Sequence, residues 1–402
     1  MIEASAEHAQ TLLAEASETA SIRPLRVLHV VGHLTRGGIE TWLYQVLRRT
    51  DKRDIDADVL VLTSANEPMT QAFKDAGIEI RVCPPVRRPD RFLAQYLSLL
   101  SKYKYDIVHV HGFSMLAMLS LFAAWLRRVP VRIWHGHNDL RPRLANASAM
   151  YRAYVAVSLR LSRFLCNRRA ACSLKAAEWT FGENWTSLRP PVELLIGIDM
   201  EPCFAEADPT LRAQLGLPEG RHVLAQVGRC TMPKNHKFTV RVAEVLHQRN
   251  VPIHLLFLGD GPLREETQKQ LVEAGLEQHY TWIRDCDRVP AVFKSVVDIA
   301  LLPSFNEGLG LVVIEAQAAG VLTLVSNHVT TECAVVTELV DFLPIDQGPA
   351  IWAQKVMEHL QTPLTSQAAQ QHQRLIASRF NIDVNAERLS QIYRTAIGRQ
   401  TV

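Results

Sequence analysis

The sequence of 402 residues lacks several features that mark secreted, membrane-spanning or zinc-binding proteins. Residues 1–22 show no basic segment followed by an apolar one, so we predict no signal peptide there. No stretch of about twenty apolar residues is free of charge, which argues against a membrane-spanning helix. The seven cysteines form no Cys-x-x-Cys pair, and this favours reduced thiols over disulfides or zinc. We therefore expect a cytoplasmic protein.

A strong excess of one charge is also missing. The net charge is only +3, which gives no reason to expect a nucleic acid partner. Hydrophobic residues make up 48% of the chain and charged residues 21%, as in ordinary globular proteins. The length is sufficient for two α/β domains of usual size.

The most informative stretch of the sequence is 299–332. Its first residues, Ile299–Leu302, are apolar and predict a short buried strand. A polar loop follows, then a predicted helix over 311–319 that ends at Gly320, and a second buried strand over 321–325. This strand–helix–strand pattern predicts a parallel sheet, whose ligands bind at the carboxyl ends of the strands.

The loop in this stretch carries residues suited to a phosphorylated sugar. Gly308 and Gly310 precede the helix, where free backbone N–H groups attract a phosphate. Glu307 and Glu315 would be repelled by that phosphate, so we interpret them as acceptors of hydrogen bonds from sugar hydroxyls. The equally weighted alternative is a loop carboxylate and a solvated helix residue.

Histidines and glycines follow predicted strands in the first half of the chain. Gly37 and Gly38 lie in the first turn between a strand and a helix, where a purely structural turn is the commoner explanation. His111 lies at the end of one predicted strand, and His135 and His137 lie at the end of another. Histidines two positions apart on an extended chain share a face and could bind a metal, but no further ligands at metal-site spacing accompany them.

Two cations follow a predicted strand in the second half. Arg229 and Lys234 lie five residues apart in a loop that begins at Gly228. A guanidinium fork and an ammonium point charge can hold a diphosphate from two sides, although basic loop residues are usually only solvated. Gly259 begins a further predicted turn after the next strand.

These motifs together resemble glycosyltransferase family 4, whose members are retaining enzymes. The resemblance rests on Glu307 and Glu315 with seven residues between them, and on the strings Gly-Gly-Ile-Glu-Thr-Trp, His-Gly-His-Asn and Val-Gly-Arg-(x)4-Lys-Asn-His. It is especially similar to the branch that builds capsular and extracellular polysaccharides. The resemblance implies an α/β protein of the GT-B fold, in which two facing Rossmann-like domains enclose a nucleotide-sugar cleft.

The resemblance also implies a role for each motif. Arg229 and Lys234 would hold the donor diphosphate and Glu315 the ribose, while Glu307 and His137 would bind the transferred sugar. The implied donor-binding residues also include Gly37, Gly38, Gly308, Leu309, Gly310 and Leu311. Further candidates are His135, His111, Gly259, Arg284 and Glu332, of which Arg284 replaces a glycine found in many relatives. No metal or cofactor is implied, since the two cations would stabilise the departing diphosphate.

The implied domains are an N-terminal extension over 1–22, an acceptor domain over 23–198, a donor domain over 199–382 and a helix over 383–402 that crosses back to the first domain. The implied reaction is metal-independent transfer of a hexosyl group from a UDP- or GDP-sugar to a glycan or a polyprenyl-diphosphate-linked acceptor. Segment 141–177, which contains no acidic residue, could contact the cytoplasmic membrane surface or form an ordinary solvated helix face. The alternatives are a nucleotide-sugar epimerase of the same fold and a non-catalytic scaffold.

Overall fold

The computed structural model describes residues 23–62, 67–145, 147–362 and 368–398. The extension over 1–22 lies outside these ranges. The described chain forms two separate parallel sheets, which confirms the predicted pair of Rossmann-like domains.

The first sheet has seven strands in the order β3-β2-β1-β4-β5-β6-β7. Their bounds are β1 Leu25–Val30, β2 Ile55–Val61, β3 Glu79–Val82, β4 Ile107–Val110, β5 Val131–Gly136, β6 Arg168–Ala171 and β7 Val192–Leu194. The helices of this half are α1 Gly38–Leu47, α2 Thr70–Asp75, α3 Pro89–Tyr103, α4 Ser114–Leu126, α5 Arg141–Ala145, α6 Ala149–Leu165 and α7 Leu174–Phe181.

The second sheet has six strands in the order β10-β9-β8-β11-β12-β13. Their bounds are β8 His222–Val227, β9 Ile253–Leu258, β10 Tyr280–Ile283, β11 Ile299–Leu302, β12 Leu322–Ser326 and β13 Val340–Leu343. The helices of this half are α8 Glu201–Phe204, α9 Leu211–Gln214, α10 His236–Gln248, α11 Arg264–Glu273, α12 Val289–Val296, α13 Leu311–Ala318, α14 Pro349–Gln361, α15 Ala368–Ile376 and α16 Ile382–Ile397.

The apolar runs of the sequence form the central strands because both faces of each parallel sheet are covered by helices. Every residue of β4 and β11, for example, is buried. Helix α13 ends at Ala318, and Gly320 then adopts a φ of +80°, which explains why the predicted helix stops there.

The last helix, α16, packs against α1 of the first half. The Asn381 side chain caps its start by accepting a hydrogen bond from the backbone N–H of Asp383. Further along α16, Arg388 forms an ion pair of 2.7 Å with Glu193 in β7. The first sheet ends at Leu194 and the second begins at His222, and the boundary at residue 198 stays a prediction.

No helix in the described part of the chain combines the length and the apolar character needed to cross a bilayer.

Candidate active site between the two sheets

The loop after β11 packs directly against the loop after β5, so the two halves of the chain meet at the predicted site. The Asn306 side chain donates a hydrogen bond of 2.7 Å to the carbonyl of Asp139. The Ser173 hydroxyl donates one of 2.5 Å to the carbonyl of Gly308. A Cβ atom on Gly308 would lie only 2.1 Å from the carbonyl oxygen of His137. Only glycine permits this contact, which brings the two candidate residues Gly308 and His137 together.

The starts of α1 and α13 face each other across the same cleft. A Cβ atom on Gly38, the first residue of α1, would lie 3.3 Å from Cδ1 of Leu311, the first residue of α13. Gly310 before α13 has a φ of +89°, and both N-cap residues, Gly37 and Gly310, are glycines without a side chain that could cap the helix. The first backbone N–H groups of both helices therefore stay available to an anion.

Lys234 and Glu307 form an ion pair in the second half of the cleft. The Lys234 Nζ atom lies 2.7 Å from Glu307 Oε1, and both side chains are mostly buried. The Ser304 hydroxyl donates a second hydrogen bond of 2.7 Å to the same oxygen. The sequence interpretation placed the two side chains on different parts of the ligand, whereas here they contact each other. Lys234 therefore already has a carboxylate partner in this structure.

The loop that carries the two cations is fixed to the loop that carries Glu307. The Asn235 side chain donates a hydrogen bond of 3.0 Å to the carbonyl of Pro303. The backbone N–H of Phe305 donates one of 2.8 Å to the carbonyl of Pro233. These bonds hold the ion pair on a rigid backbone, as a preorganised electrostatic site requires.

Arg229 lies near the carboxyl group of Glu40, which belongs to the Gly-Gly-Ile-Glu-Thr-Trp string of the resemblance. Its side chain is exposed and forms no ion pair with any described residue. Glu40, in the first turn of α1, lies close enough for the two charges to interact. Burial raises the pKa of Glu40 to about 7, although a hydrogen bond from its own backbone and the charge of Arg229 oppose this rise. The sequence signal for Glu40 is an acidic residue two positions after the Gly-Gly turn.

Glu315 has a similarly perturbed carboxyl group. Desolvation raises its pKa to about 7, and the charge of Lys234 opposes this rise. The side chain still keeps part of its surface, so a ligand can reach it. A carboxyl group with this pKa is partly protonated at neutral pH. It can therefore donate hydrogen bonds to hydroxyl groups as well as accept hydrogen bonds from them.

The three candidate histidines differ in what their ring nitrogens contact. His135 lies 3.0 Å from the carbonyl of Leu195 through Nε2 and 3.2 Å from His109 through Nδ1. His111 lies 2.9 Å from His29 through Nε2 and 3.0 Å from His137 through Nδ1. Both rings are thus fully engaged inside the first half. His137 contacts His111 through Nε2, and its Nδ1 atom has no hydrogen-bond partner among the residues that the structure describes.

The side chain of Glu332 holds the two halves of the chain together. It accepts a hydrogen bond of 2.8 Å from the backbone N–H of Leu174 at the start of α7, and it pairs with Arg379. Both oxygens of its carboxylate therefore already have partners, one at Leu174 and the other at Arg379.

Arg284 and Gly259, two further candidates of the resemblance, lie close to the loop of Arg229. Arg284 pairs with Asp260 at 2.7 Å, directly after Gly259. A Cβ atom on Gly259 would lie 2.4 Å from the carbonyl oxygen of Gly228, so the two turns touch. Gly259 therefore allows the turn after β9 to approach the loop of Arg229.

A cavity of about 540 Å³ lies away from this cleft, between the edge of the first sheet and α16. Its lining includes His109, Arg169, Glu193 and Arg388. It includes none of the predicted donor-binding residues, so we assign the candidate active site to the cleft and not to this cavity.

Comparisons with known proteins agree with this geometry. The family model described as Glycosyl transferase 4-like domain matches residues 37–175, and the one described as Glycosyl transferases group 1 matches residues 207–375. EpsF, which is assigned as a glycosyltransferase in Bacillus subtilis (strain 168), is 28% identical over 82% of this chain and 86% of its own. The UDP-Gal:alpha-D-GlcNAc-diphosphoundecaprenol alpha-1,3-galactosyltransferase of Escherichia coli is 26% identical over 71% of this chain and 76% of its own.

Among solved structures, Anabaena Alr3699/HepE in complex with UDP and glucose superposes with a TM-score of 0.75 at 16% sequence identity. The match covers 92% of this chain and all of the other. Such a low identity shows the fold alone. The superposition and the two parallel sheets together confirm the predicted GT-B architecture.

Proposed function

The chain belongs to the group 1 glycosyltransferases, family 4, and on that premise we propose that it is a retaining hexosyltransferase of polysaccharide synthesis. It moves a sugar from a UDP- or GDP-sugar to a glycan or a polyprenyl-diphosphate-linked acceptor. The observation that carries this proposal is the Lys234–Glu307 ion pair at 2.7 Å, on the same loop as the exposed Arg229.

In this mechanism the cations act on the departing diphosphate. Negative charge grows on its oxygens as the bond to the sugar breaks, and Arg229 and Lys234 stabilise that charge from two sides. The first N–H groups of α13 add a fixed positive potential. These groups would do the work that a metal ion does in other transferases.

The remaining groups position the donor. Glu315 binds the ribose hydroxyls, and its raised pKa suits that role because a partly protonated carboxyl group can donate as well as accept. Glu307 binds hydroxyls of the transferred sugar while Ser304 holds one of its oxygens. His137 contacts the same sugar from the opposite wall of the cleft.

A lipid-linked acceptor is supported by the name of the Escherichia coli relative, whose acceptor is diphosphoundecaprenol-linked. It is also supported by an exposed apolar row on α6. That row consists of Met150, Val157, Leu161 and Phe164, which are 82%, 57%, 43% and 77% exposed. The adjacent helix α4 exposes Phe122, Trp125 and Leu126. We propose that these two helices rest on the cytoplasmic face of the membrane.

The basic residues of 141–177 contribute less to that contact than their number suggests. Arg163 donates hydrogen bonds to the carbonyls of Thr180 and Trp179, and Arg141 pairs with Asp139 and Glu178. Arg152 and Arg160 stay exposed on α6, and Arg127 and Arg128 lie exposed at the end of α4. Attraction to anionic lipid would therefore come from these four exposed arginines, beside the exposed apolar row.

Transfer of labelled sugar tests the proposed reaction. The purified protein is incubated with labelled UDP-glucose, UDP-galactose or GDP-mannose, with and without a bacterial membrane lipid extract. We expect label in the lipid fraction, only with the extract present. Release of a free sugar epimer would instead identify an epimerase. Binding without any turnover would identify a scaffold, and either result would contradict the proposal.

Sedimentation with liposomes that contain anionic phospholipid tests the membrane surface. Phe164→Glu should lower the bound fraction because it places a charge in the apolar row. The matched control is Val272→Glu, at a position that is 56% exposed on α11 of the other half. An equal bound fraction for both variants would contradict the assignment of α6.

A further inference from the structure

Five histidine rings and one tyrosine form an unbranched hydrogen-bonded chain through the core of the first half. It begins at the carbonyl of Leu195 and ends at His137 in the cleft, and its members lie on β1, β4, β5 and α16 and directly after the ends of β4 and β5. The first contacts run from Leu195 O to His135 Nε2 at 3.0 Å, and from His135 Nδ1 to His109 Nε2 at 3.2 Å. Tyr393 OH then lies between two rings, 2.7 Å from His109 Nδ1 and 3.2 Å from His29 Nε2. The last contacts run from His29 Nδ1 to His111 Nε2 at 2.9 Å, and from His111 Nδ1 to His137 Nε2 at 3.0 Å.

One end of the chain sets its direction. A carbonyl oxygen can only accept a hydrogen bond, so Nε2 of His135 must carry the proton that points at Leu195. In a neutral ring Nδ1 is then unprotonated, and it accepts a hydrogen bond from Nε2 of His109. Nδ1 of His109 is in turn unprotonated and accepts the hydroxyl proton of Tyr393.

The same logic continues to the cleft. Tyr393 has one proton, which it has donated to His109, so its oxygen accepts a hydrogen bond from Nε2 of His29. His29 then accepts at Nδ1 from His111, and His111 accepts at Nδ1 from Nε2 of His137. All five rings carry their proton on Nε2, and the last unprotonated nitrogen is Nδ1 of His137.

The environment keeps these rings neutral. All five side chains are buried, and His29, His109 and His135 have no exposed surface at all. Burial lowers the pKa of His29 and His137 to about 3 and lowers the pKa of the other three well below the usual value. Every hydrogen-bond partner along the chain is itself uncharged.

We propose that this chain fixes the tautomer of His137, so that its Nδ1 atom acts only as a hydrogen-bond acceptor toward the cleft. Tyr393, His29 and His111 are then positioning residues that act through His137. The consequence for the ligand rests on the proposed function. A donor sugar must present a hydroxyl group that donates to Nδ1, and a group that can only accept is discriminated against.

A bound metal is the main competing explanation. Nitrogens of His111, His135 and His137 lie within 4.8 Å of one another, as do those of His29, His109 and His111. A metal at either triad would have to displace hydrogen bonds that already use these nitrogens. The described site also contains no carboxylate to offset the ion's charge, which makes its burial costly.

Nitrogen NMR of histidine-labelled protein tests the tautomers without any donor. Protonated and unprotonated ring nitrogens resonate in separate ranges, and single His→Gln variants assign the five rings. We expect Nε2 protonated and Nδ1 unprotonated in all five. A protonated Nδ1 on His137 would overturn the proposal. So would zinc that survives dialysis at one equivalent and shifts these nitrogens.

Tyr393→Phe tests the direction of the chain. Removing the hydroxyl group releases His29, His111 and His137, which should become mixtures of tautomers, whereas His135 and His109 stay fixed by Leu195. Tyr96→Phe is the matched control, because Tyr96 is equally buried and its hydroxyl has no hydrogen-bond partner within the described chain. Unchanged tautomers in Tyr393→Phe would contradict the proposal.

Deoxyfluoro donors test the consequence for specificity. Fluorine cannot donate a hydrogen bond, so one position of the best donor in the panel should lose about tenfold in kcat/KM on substitution, the effect of one hydrogen bond. This loss should shrink in Tyr393→Phe and persist in Tyr96→Phe. Equal losses in both variants would contradict the role of the chain. Absence of transfer with every donor would refute the proposed function, and the tautomers would still be decided by NMR.

Discussion

Replacement of Lys234 by alanine tests the electrostatic part of the mechanism. The variant removes one of the two cations proposed to stabilise the leaving diphosphate, and among the described residues it leaves Glu307 with the Ser304 hydroxyl as its side-chain partner. Loss of one preorganised group at a site of developing charge costs about 2.7–4 kcal/mol in transition-state stabilisation, or about 10²–10³ in kcat. Lys234 is 22% exposed and Glu307 13% exposed, so solvent screens their charges only partly.

The assay is steady-state release of nucleoside diphosphate at saturating donor, with thermal unfolding measured in parallel. Lys237→Ala is the matched control, because Lys237 is exposed on the first turn of α10. We expect Lys237→Ala to keep its turnover and Lys234→Ala to lose about 10²–10³. Lys234→Ala should still unfold cooperatively near the melting temperature of the parent protein. A folded Lys234→Ala variant that keeps more than about a tenth of the parent kcat would refute the reasoning.

Three further variants test separate parts of the site. Glu307→Gln should lower kcat more than it weakens UDP or GDP binding, and an equal loss by calorimetry and kinetics would remove its assigned contact with the sugar. Gly308→Ala should disrupt the cleft, because its Cβ would lie 2.1 Å from the carbonyl oxygen of His137, whereas Gly32→Ala has open space and should be tolerated. Because the pKa of Glu315 rises to about 7 on folding, its contribution is favourable below about pH 4.5 and is lost as the pH rises toward 7. Glu315→Gln should therefore melt above the parent protein at pH 8, and the difference should shrink toward pH 4.5; a constant difference would contradict the raised pKa.

Much of the fold could be predicted because local patterns determine it. The apolar residues Ile299–Leu302 form β11, and the glycines after them lie directly before α13. Gly310 and Gly320 have positive φ values that other residues adopt only with strain. These signals lie within a few residues of the feature they predict.

The contacts within the site could not be predicted, because they depend on how distant segments meet. The resemblance gave Lys234 and Glu307 separate ligand contacts, whereas the fold brings them to 2.7 Å. Glu332 was a further candidate of the resemblance, and in the fold its carboxylate contacts the backbone N–H of Leu174 and the side chain of Arg379. Neither pairing has a signal in sequence spacing.

The histidines show the same limit. His29, His109 and His135 interrupt three apolar strands. In the sequence, no pattern connects these three histidines with one another. Only the parallel register, which sets His29 beside His109, brings the rings into one chain. Tyr393 completes that chain from α16, at the far end of the sequence.

We propose above all that the second half of the chain binds a nucleoside diphosphate. A crystal structure of the protein soaked with UDP or GDP tests this most directly. We expect diphosphate oxygens between Arg229 and Lys234, with ribose hydroxyls on Glu315. Ligand bound instead in the cavity beside α16, or elsewhere away from these three side chains, would contradict it.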